Sequence, residues 1–247
     1  KMGEAILSSG TWEILGVRAK TFNPSLTAFK DGVIFEADVQ PGLWNPQLLM
    51  MGSGVLEWVL DKVFPRTRKG KYDTMTREAK SVQAGSEGVI FIPSFVKESG
   101  PTKKYGTMGT LLGLTLRTSR GQILRAAIEG LSFQLRQALQ ILNKTTALKI
   151  KGIRIVGGGS KNPLWNQIRA DVTGLPVITT EQKEYTTVGA ALSSFIGIGR
   201  YRSPEEASRH VLSQQRVFRP GHNQIIYQNV FRRYMKALKS LEDFYQQ

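Results

Sequence analysis

Two short glycine-containing segments carry the residue types that suit the binding of a phosphorylated ligand. The first is Ser8-Ser9-Gly10-Thr11-Trp12, which lies between two β-rich runs and is predicted to form the tip of a hairpin. Glycine at Gly10 lets backbone N–H groups approach a phosphate closely, and the hydroxyl of Thr11 adds another donor. An ordinary hairpin turn explains the same residues, so this segment alone decides nothing.

The second segment is Val156-Gly157-Gly158-Gly159-Ser160-Lys161-Asn162-Pro163. A strand is predicted to run into the three glycines, and Asn162 with Pro163 then caps and opens a helix. The glycines leave a flat surface for a planar base or a ribose, and the helix start adds N–H groups and a positive dipole end. The pattern is neither a Walker A loop nor GxGxxG. A flexible strand-to-helix connection is the alternative, although such connections usually have one glycine.

Glu57 is a weaker candidate for ligand binding. It lies among apolar residues on a predicted helix that also carries Ser53. A carboxylate at this position suits either a ligand contact or the rim of a pocket. Glu129 has Arg125 and Arg136 within helical reach, and ion pairing accounts for it.

His210 and His222 are too isolated in sequence to predict a metal site. The sequence also lacks a Ser-His-Asp set and a close carboxylate pair. We therefore assign no catalytic residue and no metal ligand to this sequence.

The composition narrows the class of protein. The 247 residues are 40% apolar, and no stretch approaches the roughly 20 consecutive apolar residues of a membrane span. Cysteine is absent, which excludes a disulfide framework and thiolate metal sites. The expected compartment is the cytoplasm.

The formal net charge of +15 first raises the possibility of nucleic-acid binding. The excess is spread out, with small clusters at Arg66 to Lys71, Lys97 to Lys104 and Lys149 to Arg154. There is no basic helix, zinc-finger spacing or aromatic-basic interleaving. Scattered solvated side chains are the preferred interpretation, and part of the excess is expected to face an anionic ligand or an acidic second domain.

Hydrophobic periodicity predicts the elements that position these segments. Three early strands are followed by alternating helices and strands, which predicts an α/β fold with a mixed sheet flanked by helices in one domain. The strands are predicted at 5–9, 12–18, 33–39, 89–93, 153–156 and 176–179. The helices are predicted from Asn45 and Pro46 to Val63, and over 119–143, 163–174, 187–198 and 225–244. Gly189, Ala190 and Ala191 indicate that the helix over 187–198 packs closely on a neighbour.

Taken in order, these segments resemble the FGGY family of carbohydrate kinases, from the first residues to about Phe218. The resemblance is carried by ILSSGTWEILGVRA, GLWNPQ, SGVLEWV, RTSRGQILRAAIEGLSFQL, VGGGSKNPLWNQIRAD and TTVGAA. It implies an actin-like ATPase fold, related to ribonuclease H, with ATP and Mg²⁺ as cofactors and a sugar substrate. The motif SSGTWEIL followed by GVLEWV is similar to the branch of the family that acts on L-fuculose.

The resemblance also implies roles for particular residues. Gly10 and Thr11 would bind the phosphates, and Gly157, Gly158, Gly159 and Asn162 would form the adenosine side. Ser53 and Glu57 would face the nucleotide, although other branches have small and amide residues there.

Residues 1–247 correspond to the C-terminal, nucleotide-binding domain of such kinases. The expected N-terminal domain carries an Asp-x-Gly-Thr loop and most sugar contacts, and the expected catalytic aspartate precedes the hairpin. Neither is present in this sequence, so we expect the chain alone to be inactive. Two alternatives stay open: another FGGY kinase, such as a rhamnulokinase or xylulokinase, and a non-catalytic nucleotide or nucleic-acid binding module. The sequence leaves the oligomeric state open, a homodimer included.

Overall fold

The chain forms a mixed α/β structure in which two sheets are packed with helices. The structure is a computed structural model that describes residues 3–63, 70–97, 99–180, 184–211 and 214–245. Its strands are β1 (Glu4–Ser9), β2 (Trp12–Val17), β3 (Val33–Ala37), β4 (Trp44–Met51), β5 (Ile90–Ile92), β6 (Thr110–Leu112), β7 (Gly152–Val156), β8 (Val177–Thr180) and β9 (Gln215–Phe218). Its helices are α1 (Leu26–Lys30), α2 (Ser53–Val63), α3 (Lys71–Ser81), α4 (Arg120–Thr146), α5 (Pro163–Thr173), α6 (Tyr185–Gly197), α7 (Pro204–Arg209) and α8 (Gln224–Tyr245).

The larger sheet has seven strands in the order β3-β4-β2-β1-β7-β8-β9, and β5 pairs with β6 in a separate two-stranded sheet. In the larger sheet β1 is antiparallel to β2 but parallel to β7, and β7 is parallel to β8. The predicted fold class, α/β with a mixed sheet flanked by helices, is therefore confirmed.

The long helix α4 forms the centre of the packing. Ser119 caps it in a reciprocal capping box with Gln122. The six predicted apolar positions of this helix are all buried: Leu124, Ile128, Leu131, Leu135, Leu139 and Leu142. The first half of α4 belongs to a core with α2, α3, α5 and α8, and the second half to a core against the larger sheet. The helix thus connects the sheet to the elements that surround the site.

The prediction of a helix that begins at Asn45 and Pro46 is wrong. Both residues lie in β4, whose side chains alternate between buried and partly covered positions, and the helix begins only at Ser53. Leu48-Leu49-Met50-Met51 is apolar on both faces of the strand. Such a run lacks the alternation that distinguishes a strand from a buried helix. The sequence therefore could not separate the two, and pairing with β2 and β3 decided it.

The expected close packing of the 187–198 helix is also wrong. The helix is present as α6, but none of its residues is buried, and a β-carbon added to Gly189 would meet no atom within 4 Å. Within the described residues, its small side chains therefore do not accommodate a neighbour. In the described ranges, no helix has both the length and the apolar character needed to cross a membrane.

Candidate nucleotide-binding site

The ends of three strands bring the predicted segments to one edge of the larger sheet. Strands β1 and β7 are parallel, with Ser8 beside Val156, so the hairpin turn and the glycine segment leave the sheet side by side. Strand β4 is antiparallel to β2, as β1 is, and α2 begins directly after it. Segments that are more than a hundred residues apart in sequence therefore meet at this edge.

The hairpin turn is bonded directly to the start of α2. The backbone N–H of Ser53 donates to the carbonyl of Gly10 at 2.8 Å, and that of Gly54 donates to the carbonyl of Thr11 at 3.2 Å. A side chain at Gly52 would place its β-carbon 2.6 Å from the Gly10 carbonyl oxygen. These bonds occupy the backbone N–H groups of Ser53 and Gly54. A ligand could therefore accept a hydrogen bond from Ser53 only through its side-chain hydroxyl.

A cleft of about 940 Å³ opens between α2, α3 and the glycine segment. Five of the eight predicted binding residues line it: Ser53, Glu57, Gly158, Gly159 and Asn162. Gly157 lies next to this lining. Gly10 and Thr11 do not line the cleft, but their carbonyls accept hydrogen bonds from the first turn of α2, which does.

Helix α3 forms a wall of the cleft that sequence reasoning missed. Tyr72, Thr76, Arg77 and Lys80 on this helix line the cleft, and none of the predicted helices covers these residues. The helix buries only Met75 and Ala79 among its residues, which makes its apolar periodicity weak. The available signals were the spacing of these two residues and the acidic-to-basic polarity from Asp73 to Lys80. Part of the basic cluster noted at Arg66 to Lys71, namely residues 66–69, lies outside the described residues.

Glu57 and Tyr72 face each other across the mouth of the cleft. The Tyr72 hydroxyl donates to Glu57 Oε1 at 3.2 Å. Burial is the largest cause that raises the pKa of Tyr72 from 10.0 to about 12, and the charge and hydrogen bond of Glu57 raise it further. The pair joins α2 to α3 with an exposed carboxylate at the rim.

Asn162 connects the glycine segment to α3. Its Oδ1 accepts from the backbone N–H of Trp165 at 3.1 Å, which is the helix cap that the sequence predicted. Its Nδ2 donates to Thr76 Oγ1 at 3.4 Å. A direct contact between this side chain and a nucleotide would therefore use the second hydrogen of Nδ2 or the second lone pair of Oδ1.

A buried ion pair lies behind the glycine segment. The guanidinium of Arg169, on α5, pairs with the carboxylate of Glu13, on β2, and both side chains are almost fully buried, at 0% and 1% exposure. Arg169 also donates to Ser9 Oγ at 2.8 Å, and Ser9 Oγ donates to Glu13 at 2.7 Å. Burial lowers the pKa of Arg169, and the charge of Glu13 opposes this effect. No pattern in the sequence indicated the pair, because its members are separated by 156 positions.

Glu129 lies in a second buried network on α4. It pairs with Arg125 at 2.8 Å, as predicted, and it accepts hydrogen bonds from Gly85 N, Ser86 Oγ and Tyr227 Oη. Burial raises the pKa of Glu129, and the charge of Arg125 is the largest opposing effect.

Arg136, the other partner expected for Glu129, contacts different groups. Its guanidinium donates to the carbonyl of Val172 at 3.1 Å and lies over the ring of Phe231. It lies seven positions beyond Glu129, two helical turns along α4, so the expectation of a second ion pair is not met.

Neither His210 nor His222 is among the residues that line the cleft. The ring of His210 stacks on Tyr201 with centroids 5.0 Å apart. Over the part of the chain that the structure describes, no three His, Cys, Asp or Glu side chains form a group that could hold a metal ion.

The chemistry of the cleft suits a nucleotide. Leu56 and Trp165 supply apolar lining, and Gly158 and Gly159 supply a surface without side chains. Three cations, Arg77, Lys80 and Lys161, line the cleft together with two carboxylates, Glu57 and Asp73, so positive charge is in excess. A planar, partly apolar ligand that carries negative charge matches this combination better than an uncharged ligand does.

Comparison with known proteins agrees with this geometry. A model of the FGGY family of carbohydrate kinases, C-terminal domain, matches residues 5–198. The chain belongs to the FGGY family of carbohydrate kinases. The residues that line the cleft all lie inside the matched part of this FGGY chain.

L-fuculokinase from Escherichia coli (strain K12) is 40% identical to the FGGY chain over 220 residues, which are 89% of this chain and 44% of that protein. Xylulose kinase from Rhodospirillum rubrum superposes with a TM-score of 0.87 at 22% identity, over 100% of this chain and 49% of that one. Plasmodium falciparum glycerol kinase with ADP superposes with a TM-score of 0.78 at 21% identity, over 96% and 47%. The FGGY chain spans less than half the length of the L-fuculokinase that it matches.

Proposed function

We propose that residues 1–247 are the nucleotide-binding C-terminal domain of an ATP-dependent carbohydrate kinase. The observation that carries the proposal is the cleft between α2, α3 and the glycine segment, with its apolar walls, bare glycine surface and three cationic side chains. The similarity to the glycerol kinase structure with ADP supports a nucleotide as the ligand. The identity to L-fuculokinase supports L-fuculose as the sugar and L-fuculose 1-phosphate as the product.

The residues of this chain would bind and orient the nucleotide. Gly158 and Gly159 leave room for the adenosine, and Ser53 and Glu57 face it from α2. Gly10 and Thr11 lie on the phosphate side of the proposed site. When bound, MgATP supplies the phosphoryl group that is transferred to the sugar hydroxyl. Positioning and charge stabilisation dominate such transfers.

The remaining catalytic groups are proposed to belong to another domain of the whole kinase. That domain would bind most of the sugar and supply the aspartate that accepts the proton of the attacking hydroxyl. The chain spans 44% of the matched L-fuculokinase, which is consistent with a division of the site between two domains. We therefore expect residues 1–247 to bind ATP weakly and to show no measurable transfer to L-fuculose.

Calorimetric titration of the chain with ATP, ADP and GTP tests the proposal. Gly158→Leu is the diagnostic variant, because a β-carbon at Gly158 meets no atom within 4 Å and a larger side chain would extend into the cleft. Gly189→Leu is the matched control, since Gly189 is equally open but does not line the cleft. We expect Gly158→Leu to abolish ATP binding and Gly189→Leu to retain it. Binding that Gly158→Leu leaves intact would refute the assignment of the cleft.

Two further measurements test the finer assignments. Joining the chain to the N-terminal domain of a fuculokinase should restore phosphorylation of L-fuculose, and preference for xylulose or glycerol would instead favour another FGGY kinase. The net charge of +15 supports nucleic-acid binding as the rival function. DNA affinity that falls steeply with added salt, without any binding of ATP, would favour that rival.

A further inference from the structure

The buried ion pair of Arg169 and Glu13 joins the two sides of the proposed nucleotide site. Glu13 belongs to β2, which follows the hairpin turn, whereas Arg169 belongs to α5, which follows the glycine segment. Their contact is a direct electrostatic link between these two parts, and both side chains are hidden from solvent. Ser9, at the end of β1, bonds to both members of the pair.

The same guanidinium also contacts the glycine segment itself. Arg169 Nη1 donates to the carbonyl of Gly159 at 3.4 Å and to Asn166 Oδ1 at 3.2 Å. Asn166 Nδ2 in turn donates to the carbonyl of Ser160 at 2.7 Å. The Gly159 carbonyl is therefore held by the same guanidinium that bonds to the hairpin side, and the Ser160 carbonyl is held by Asn166, which that guanidinium also bonds.

The cluster extends to the wall of the cleft. The Arg169 guanidinium lies 3.7 Å from the centroid of the Trp165 ring, and Trp165 lines the cleft. Trp165 and Gly159 also make a close contact, because a β-carbon on Gly159 would lie 3.3 Å from the indole. The guanidinium therefore packs directly behind the surface where the adenosine is proposed to lie.

A buried ion pair is an unfavourable way to hold two segments together if stability is the only requirement. Apolar residues of similar volume often stabilise a fold equally well or better. A planar guanidinium differs because its donors have fixed directions, and here they reach a carboxylate, a hydroxyl and a carbonyl at the same time. Such directional bonds define the distance between the hairpin and the glycine segment, whereas an apolar contact tolerates sliding.

We propose that Arg169 and Glu13 are positioning residues that fix the spacing between the phosphate-side hairpin and the adenosine-side glycine segment. This inference rests on the proposed function. The phosphates and the adenosine of one nucleotide would then be bound together, because both surfaces are already at the correct separation before the ligand arrives. Neither side chain contacts the ligand, since both are buried behind the surfaces that do.

The ratio of the dissociation constants of adenosine and ATP tests the inference, since it reports how much the phosphates add to binding. We expect Arg169→Met to lower this ratio by about tenfold, because the phosphates lose their alignment while the adenosine surface remains. Arg169→Lys should give an intermediate ratio, since an ammonium can pair with Glu13 but cannot span the other acceptors. Glu13→Gln should lower the ratio as well, because the charge of the pair is lost.

Two controls separate positioning from loss of stability. Arg154→Met removes the ion pair between the middle of β7 and Glu4, which lies at the end of β1 away from the hairpin turn. Leu142→Ala removes packing from the part of α4 that lies against the sheet. Both controls should leave the ratio within about twofold of the parent value, as expected for sites without shared partners. All titrations are made at a temperature at which circular dichroism shows each variant to be folded.

The outcomes distinguish this inference from the proposed function. A parent chain that binds neither ligand contradicts the proposed function. A parent chain that binds adenosine and ATP equally, or an Arg169→Met variant with an unchanged ratio, overturns the inference alone. If Arg169→Met does not fold, Arg169→Lys and Glu13→Gln carry the test, and an unchanged ratio in both overturns it.

Discussion

Gly159 and Ser9 approach each other so closely that a β-carbon on Gly159 would lie 2.0 Å from the Ser9 hydroxyl oxygen. The Ser9 hydroxyl is itself fixed by hydrogen bonds with Glu13 and Arg169. The glycine segment can therefore lie against the hairpin only because position 159 has no side chain. This contact brings together the two segments that the sequence singled out.

Replacement of this glycine should be costly. We expect Gly159→Ala to lower the free energy of unfolding by about 1–3 kcal/mol, because the methyl group forces apart packed and hydrogen-bonded groups. Gly158→Ala is the matched control, since its β-carbon would meet no atom within 4 Å, and it should change stability by no more than about 0.5 kcal/mol. Urea denaturation of both variants measures the difference. Equal stability of the two would contradict the close contact.

Two substitutions of Asn162 can separate its role as the cap of α5 from a role in nucleotide binding. Asn162→Ser keeps an oxygen that can cap α5, so the free energy of unfolding should change by less than about 0.5 kcal/mol, whereas Asn162→Ala should lose about 1 kcal/mol. Both variants lack the amide nitrogen. If that nitrogen contacts the nucleotide, calorimetry should show both to bind ATP equally weakly. Parent-like ATP affinity in Asn162→Ser would limit Asn162 to the helix cap.

The pair of Glu57 and Tyr72 predicts a defined pH dependence. The pKa of Tyr72 is raised to about 12, so folding favours the neutral phenol. Its stabilising contribution is present below the unfolded pKa of about 10 and is lost as the pH rises from there towards 12.

Glu57→Gln should lower the pKa of Tyr72, since it removes a neighbouring negative charge, but the pKa should stay above 10 because burial is the largest cause. NMR titration of ¹³C-labelled tyrosine, with Tyr72→Phe to assign the signal, measures this shift. A pKa that Glu57→Gln leaves unchanged would rule out the electrostatic contact.

The network around Glu129 should be a major source of stability. Glu129→Gln leaves the buried guanidinium of Arg125 without its counter-charge, and we expect a loss of about 3–5 kcal/mol in the free energy of unfolding. Glu4→Gln is the control, because it breaks a partly exposed pair with Arg154 and should cost no more than about 1 kcal/mol. Chemical denaturation compares the two. Similar losses in both variants would argue against a stabilising role for the buried pair.

Local features of the site could be predicted from the sequence because they depend on neighbouring residues. The cap at Asn162 follows from an amide side chain beside the first turn of a helix, and Pro163 fits that turn. The buried face of α4 follows from apolar residues at helical spacing. Failures occurred where local signals were ambiguous, as in the apolar run of β4, or weak, as in the mostly polar α3.

The sequence by itself determined the family, the glycine segments and the helices that follow from periodicity and capping. Only the tertiary structure decided that Gly10, Ser53 and Gly158 lie at one edge of a sheet, and that α3 closes the cleft beside them. It also revealed the pairing of Glu13 with Arg169. Residue types and short spacings determine local hydrogen bonding and which face of an element is apolar. Distances between segments far apart in the chain depend on strand order and register, which arise when the whole sheet assembles.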